Sequence, residues 1–203
     1  MNKGRLEAFS DGVLAVIITI MVLELKVPHG DDLAALRSMS HGLLSYVLSF
    51  VYIGIYWNNH HHLLHATHRV NGRIMWANLH LLFWLSLVPV VTAWLGDYPS
   101  SVTPAALYGG VLFLAAIAFL ILEKQIMAYN PDSVLREAVG FDVKGLISQF
   151  LYLLGIGMAF VRPWIADLLY ATVAVIWVIP DPRIERRVTE ASSTGGARSE
   201  HAK

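Results

Sequence analysis

Arg5-Leu6-Glu7-Ala8-Phe9-Ser10-Asp11-Gly12 leads into an apolar run, Val13-Leu14-Ala15-Val16-Ile17-Ile18-Thr19-Ile20-Met21-Val22-Leu23. A helix needs about 20 residues to cross the hydrocarbon core of a bilayer at about 1.5 Å per residue. Were Ser10 an N-cap, the helix from there to Pro28 would have about 16 residues, short of a span. The helix is therefore expected to start near Arg5, to run to Val27, and to carry Ser10 and Asp11 inside it. An arginine and an aspartate at membrane depth are costly unless paired or wetted, so they mark interior or functional positions. Arg5 and Asp11 are six residues apart and roughly 240° apart around a helix, so each needs partners on other helices or subunits.

Five more apolar segments follow, at about 43–64, 74–95, 105–127, 146–161 and 164–179. The last two are short and parted by Arg162-Pro163, which reads as a tight helical hairpin. Proline and glycine mark the other joints, at Pro28, Gly30, Gly96, Pro99, Pro104, Pro131, Pro180 and Pro182. Of the 15 lysines and arginines, only Lys26, Arg37 and Arg162 fall on one side of a six-span topology. The rest gather on the other, which is the side that holds both termini and is therefore cytoplasmic. The expected fold is all-α and polytopic, with residues 1–182 forming six transmembrane helices. Residues 183–203, charged and then rich in Ser, Thr and Gly, read as a disordered cytoplasmic tail.

Composition agrees and narrows the function. Hydrophobic residues make up 56 % and charged residues 15 %, against roughly 25 % charged in a soluble domain. Formal net charge is zero, so no basic surface points to nucleic acid. The absence of cysteine excludes disulfides, thiol catalysis and cysteine-held metals. There is no P-loop, dinucleotide glycine pattern or serine elbow, and the chain does not read as an enzyme. No cofactor is implied.

Two further patterns stand out. With Val16 as reference, Thr19, Ile20 and Leu23 fall within about 60° of one helical line, and Val27 would continue it. Such a stripe fits lipid or core packing as well as a pore. The second segment ends in His60, His61, His62, His65 and His68, of which His61, His65 and His68 have i, i+4, i+7 spacing. Imidazole is a good zinc ligand, yet no HExxH pattern and no acidic residue accompany the cluster. The three histidines are weak metal candidates, and interhelical hydrogen bonding is the simpler role. Asn78 and His80 are candidate partners for the histidines and for Asp11. Leu107-Tyr108-Gly109-Gly110 is not a TVGYG filter, and no helix carries the arginine spacing of a voltage sensor.

The string Arg5-xxx-Phe9-Ser10-Asp11-Gly12 resembles the signature of the family of transmembrane protein 175, a lysosomal potassium channel with prokaryotic relatives. The resemblance continues through Tyr56-Trp57-Asn58-Asn59-His60-His61, Trp76-Ala77-Asn78-Leu79 and Ser86-Leu87-Val88-Pro89, and ends at Trp177-Val178-Ile179-Pro180-Asp181-Pro182. It implies a potassium channel without a TVGYG filter. Animal members carry two six-helix repeats; the motif occurs once here, which implies a homotetramer in a prokaryotic plasma membrane, its first helices lining a central pore. Carried over by motif position, the pore stripe is Val16, Thr19, Ile20, Leu23 and Val27. The family's constriction falls on Val16, where larger Ile or Leu is usual, so Ile20 or Leu23 is an alternative narrowest ring. Arg5, Phe9, Ser10 and Asp11 would belong to a structural network with His60 or His61 and Asn78. Its partners are then lipid, copies of itself and the permeating potassium ion. The alternative is a proton-coupled or proton-conducting secondary transporter that uses Asp11 and the histidines as a relay.

Overall fold

The computed structural model describes residues 3–130 and 143–178. Eight helices account for most of them: α1 Lys3–Leu23, α2 Leu33–Ser38, α3 Ser40–His65, α4 Gly72–Ser86, α5 Val88–Asp97, α6 Val102–Tyr129, α7 Val143–Ala159 and α8 Pro163–Val178. Residues 183–203, the expected tail, and the Pro180 and Pro182 joints lie outside the described residues.

α1 starts before Arg5 and holds Ser10 and Asp11 in its interior, as a spanning helix requires. Its far end corrects the sequence reading. The helix stops at Leu23, not Val27, so Val27 does not extend the helical stripe. Pro28 disfavours helical geometry at Val27, and Glu24 and Lys26 bring charge where the apolar run ends. The third segment is also interrupted: α4 and α5 meet at Leu87, two residues before Pro89. Proline lacks an amide hydrogen and crowds the preceding turn. The joint is shallow, because Leu87 keeps helical dihedrals. α2 was not expected; Asp32 caps it by accepting from the Ala35 amide at 2.8 Å. Three stretches have both the length and the apolar composition to cross a bilayer: Lys3–Leu23, Gly72–Asp97 and Val102–Tyr129. α7 and α8 are shorter apolar helices, and the Arg162 amide closes the turn between them on the Met158 carbonyl at 2.8 Å.

α6 is the centre of the bundle, packed by α4, α5, α7 and α8. Small side chains let its neighbours approach: Ala105, Ala115 and Ala118 are fully buried. Four tyrosines fill the region between α3, α6, α7 and α8, with Tyr52, Tyr108, Tyr152 and Tyr170 all buried. A buried phenol needs a partner, and each of three finds one. Tyr52 donates to the Tyr170 carbonyl at 2.6 Å, Tyr170 to the Ala105 carbonyl at 3.2 Å, and Tyr108 is hydrogen-bonded to Ser49 at 3.0 Å. Tyr108 and Gly109 are thus helical core residues of α6, which is incompatible with a carbonyl-lined filter at that place. Asp167, on α8, has one carboxylate oxygen buried with no hydrogen-bond partner among the described residues.

Tyr170 fits because two glycines face it. A Cβ on Gly109 or on Gly155 would overlap its ring or hydroxyl. Overpacking of this kind costs about 1–3 kcal/mol. Gly109→Ala and Gly155→Ala are each expected to lower the thermal unfolding temperature of the purified protein in detergent. Gly110→Ala, where an added Cβ meets nothing within 4 Å, is expected not to lower it, and helix propensity favours a small rise.

Candidate pore helix and its anchoring network

α1 packs on α3, α4 and α5 along one face. That face is Leu6, Ser10, Leu14, Ile17 and Met21, spaced four, four, three and four residues apart, and all five are buried. Such spacing keeps a line of side chains on one side of a helix. Ser10 is the polar member, and it is fully satisfied. Its hydroxyl donates to the Leu6 carbonyl at 2.9 Å and accepts from the Asn78 amide of α4 at 2.9 Å. The Asn78 amide oxygen takes a 2.7 Å hydrogen bond from Nε2 of His60 in α3. A carbonyl oxygen can only accept, so His60 Nε2 carries a proton here. Ser10, Asn78 and His60 are all buried, and the chain of bonds ties three helices together.

Asp11 is held separately. It accepts from the indole of Trp57 in α3 at 3.1 Å, not from a histidine or Asn78. His61 lies against that indole, ring centroids 6.1 Å apart and nearly parallel at 27°. Trp57 stood in the sequence as part of the Tyr56–His61 string but was not named as the partner of Asp11. The signal that could have found it is spacing: Trp57 lies three residues before His60, close on the same face of α3. Arg5 and Phe9 lie outside this bonded set; Arg5 is exposed and Phe9 is 53 % exposed. His80 accepts from Trp84 one turn along α4, at 2.9 Å, and joins neither group.

The histidine face is shorter than its spacing implied. α3 ends at His65, so His68 does not continue it. The loop has its own ties: Asn130 accepts from the His68 and Arg69 amides at 3.2 and 2.9 Å, and Asn71 caps α4 through the Ile74 amide at 2.9 Å. His61 and His65 stay neighbours, with ring centroids 6.1 Å apart. Among the described residues no three His, Asp or Glu side chains gather into a metal site.

The opposite side of α1 is bare. Val16 is 55 %, Ile20 42 % and Leu23 81 % exposed, and Thr19 is exposed between them. Arg5, Phe9 and Gly12 fall on the same side by helical phase. The Thr19 hydroxyl donates to the Val16 carbonyl at 2.8 Å, which leaves its lone pairs turned outward.

Asn78 is the pivot of the network, so its loss should be felt at both ends. Asn78→Leu leaves the His60 donor without its acceptor and removes the amide from Ser10, a cost of about 1–3 kcal/mol. Adding His60→Leu removes the orphan as well. A double-mutant cycle read by unfolding in detergent is expected to give the pair a smaller loss than the sum of the two singles.

Relatives agree with this geometry. The family model described as the endosomal/lysosomal potassium channel TMEM175 matches residues 5–89, which hold α1 and all three bonded network residues. A potassium channel of Chryseobacterium sp. (strain P1-3) is 54 % identical over 191 residues, 94 % of this chain and 100 % of the relative. The crystal structure of a lysosomal potassium-selective channel TMEM175 homolog from Chamaesiphon minutus superposes with a TM-score of 0.77 at 29 % identity, covering 87 % of this chain and 96 % of the other. The endosomal/lysosomal proton channel TMEM175 of Gallus gallus is 40 % identical over 75 residues, 31 % of this chain and 15 % of the longer relative. The helices that cross-brace through Asn78 are those of an integral membrane ion channel, not an enzyme, and the chain belongs to the TMEM175 family.

Proposed function

We propose that the protein is a potassium-selective channel in which four copies of the chain surround a central pore lined by α1. The observation that carries this reading is the two-sidedness of α1. One face is buried and hydrogen-bonded to α3 and α4; the other presents Val16, Thr19, Ile20 and Leu23 to whatever lies outside the subunit. One copy of such a helix cannot enclose a pore, whereas four can. The six spans would be α1, α3, α4 with α5, α6, α7 and α8, with both termini in the cytoplasm and the protein in a bacterial plasma membrane.

Conduction then passes rings of aliphatic side chains, with one hydroxyl ring at Thr19. An aliphatic ring offers no replacement for hydration water, so it gates by dewetting. Potassium sheds water at lower cost than sodium and crosses more readily. Selectivity of this kind is weaker than that of a carbonyl filter. The Ser10, Asn78 and His60 bonds do not touch the ion; they hold the rotation of α1 so that the stripe faces inward. Proton conduction is the second reading, favoured by the proton-channel name of the Gallus gallus relative.

Purified protein in liposomes is expected to pass potassium faster than sodium under equal gradients. A pH gradient in the same vesicles measures any proton flux. The chain has no cysteine, so single cysteines report cleanly. Modification of Ile20→Cys or Leu23→Cys by a bulky cationic thiol reagent should cut potassium flux on the order of tenfold, because the added groups occlude a narrow ring and repel the permeating cation. Leu14→Cys, on the buried face, should be insensitive. Unchanged flux after modification at Thr19, Ile20 and Leu23 in turn would exclude α1 as the pore lining.

A further inference from the structure

Support for α1 is uneven along its length. Met21 is its last buried residue, and the helix ends two residues later. Behind that end lies a cleft of about 240 Å³, open at the surface and walled by Met21, Leu25, Tyr46, Thr92 and Asp97 among others. Within the subunit the outer end of α1 therefore borders open space and has room to shift.

The far wall is firm by contrast. Gly96 of α5 approaches Gly42 of α3 so closely that a Cβ on Gly96 would stand 2.8 Å from the Gly42 Cα. One turn earlier, Thr92 is hydrogen-bonded to Ser49 at 2.7 Å, and Ser49 to Tyr108. The outer end of α5 is therefore fixed to α3 and α6. An ion pair crosses from the loose side to the firm one: Lys26 Nζ lies 2.5 Å from Asp97 Oδ2. The hydrogen bond to Asp97 raises the Lys26 ammonium above its ordinary value, so Lys26 is a cation throughout the neutral range.

We infer that the Lys26–Asp97 pair positions the outer end of the pore helix, drawing the chain after Leu23 back against α5 and so setting how wide the Leu23 ring stands. The inference rests on the proposed reading that Leu23 faces the pore. Its direction follows from helical phase. Met21, which walls the cleft, and Leu23 point about 200° apart. A pull towards α5 on the Met21 side moves Leu23 away from the axis it faces. Both partners are largely in solvent, with side chains 75 % and 42 % exposed. An exposed pair of this kind biases an equilibrium by up to about fivefold, and salt weakens it. Lys26 and Asp97 are positioning residues that tune an opening made by others.

The test is potassium flux from liposomes containing the intact oligomer, at low and high external concentrations of an impermeant salt. Lys26→Met and Asp97→Asn should each lower flux, by up to about fivefold. The exchanged pair, Lys26→Asp with Asp97→Lys, should recover most of the loss. Raised salt should lower flux through the unsubstituted protein and leave Lys26→Met unmoved, a comparison that needs no folding of the Asp97 variants. Single variants with unaltered flux and salt response would overturn the inference. So would losses that the exchanged pair does not recover and that track a fall in unfolding temperature, since those mark a merely structural contact. Leu23→Cys separates this from the underlying reading. If its modification blocks flux while the ion-pair variants behave like the parent, the latch falls and the pore stands. If modification leaves flux intact, Leu23 does not face the pore, and the latch falls with that premise.

Discussion

Asn78 sits where three helices meet, and the rest of the arrangement follows from its being paired on both sides. In a low-dielectric interior an unpaired amide is expensive, so the register of α1, α3 and α4 in which Ser10, Asn78 and His60 all find partners is strongly preferred. One residue of rotation moves a helical side chain by about 100°. It would take Ser10 away from Asn78 and bring Phe9 or Asp11 towards the buried face. Individual interhelical hydrogen bonds in membranes are modest, averaging about 0.6 kcal/mol where measured. What matters here is that the alternatives leave orphans, and Asp11 bonded to Trp57 penalises rotation in the other sense. The two ties lie on adjoining edges of α1 and reach different helices. Together they leave one face without an intramolecular neighbour.

The body behind α1 is rigid for a different reason. Packing there combines large aliphatic side chains such as Ile53, Leu81, Leu112 and Leu122 with small residues that let helices close up and tyrosines that bridge between them. Without a strong hydrophobic drive between helices in lipid, close backbone approach and internal hydrogen bonds carry the association. Tyr170 lodged between Gly109 and Gly155, with its phenol on the Ala105 carbonyl, joins α6, α7 and α8 in one contact. Ser49, Thr92 and Tyr108 do the same for α3, α5 and α6. The hydroxyls of Ser49, Thr92, Tyr52, Tyr108 and Tyr170 each have a hydrogen-bond partner, so the few polar groups in this apolar interior are well satisfied. Among the described residues Asp167 is the exception, with one buried carboxylate oxygen lacking a hydrogen-bond partner.

Much of this was legible in the chain itself, because bilayer thickness sets helix length. The interior placement of Ser10 and Asp11 followed from that argument, as did the Arg162-Pro163 hairpin. On the resemblance, Arg5, Phe9, Ser10 and Asp11 were named together with Asn78 and with His60 or His61; of these, Ser10, Asn78 and His60 share hydrogen bonds, and Asp11 bonds to Trp57 instead. The failures share a cause: length arguments do not see local backbone chemistry. Pro28 and the flanking charges end α1 before Val27, and Pro89 breaks the third segment. The loop bonded to Asn130 takes His68 out of helical phase with His61 and His65. α2 has six residues, too few for periodicity to register. Contacts between distant segments were also out of reach. Nothing in the local sequence says that Gly109 makes room for Tyr170 or that Lys26 reaches Asp97, and the indole that meets Asp11 was signalled only by the spacing of Trp57 and His60.

The restraints on α1 are graded, and the gradient has a mechanical consequence. In its N-terminal half the helix is held by buried, directional bonds whose rupture would strand polar groups. Through its middle it is held by Leu14, Ile17 and Met21, which tolerate small shifts but not rotation. Past Met21 the packing gives way to a surface cleft. A helix clamped at one end bends from the clamp, so any displacement would grow along the exposed stripe, from Val16 to Ile20 to Leu23. On the proposed reading that this stripe lines the pore, the ring with the greatest travel would be the one best placed to gate. Leu23 would then gate in preference to Val16, whose side chain is smaller and whose support is firmer.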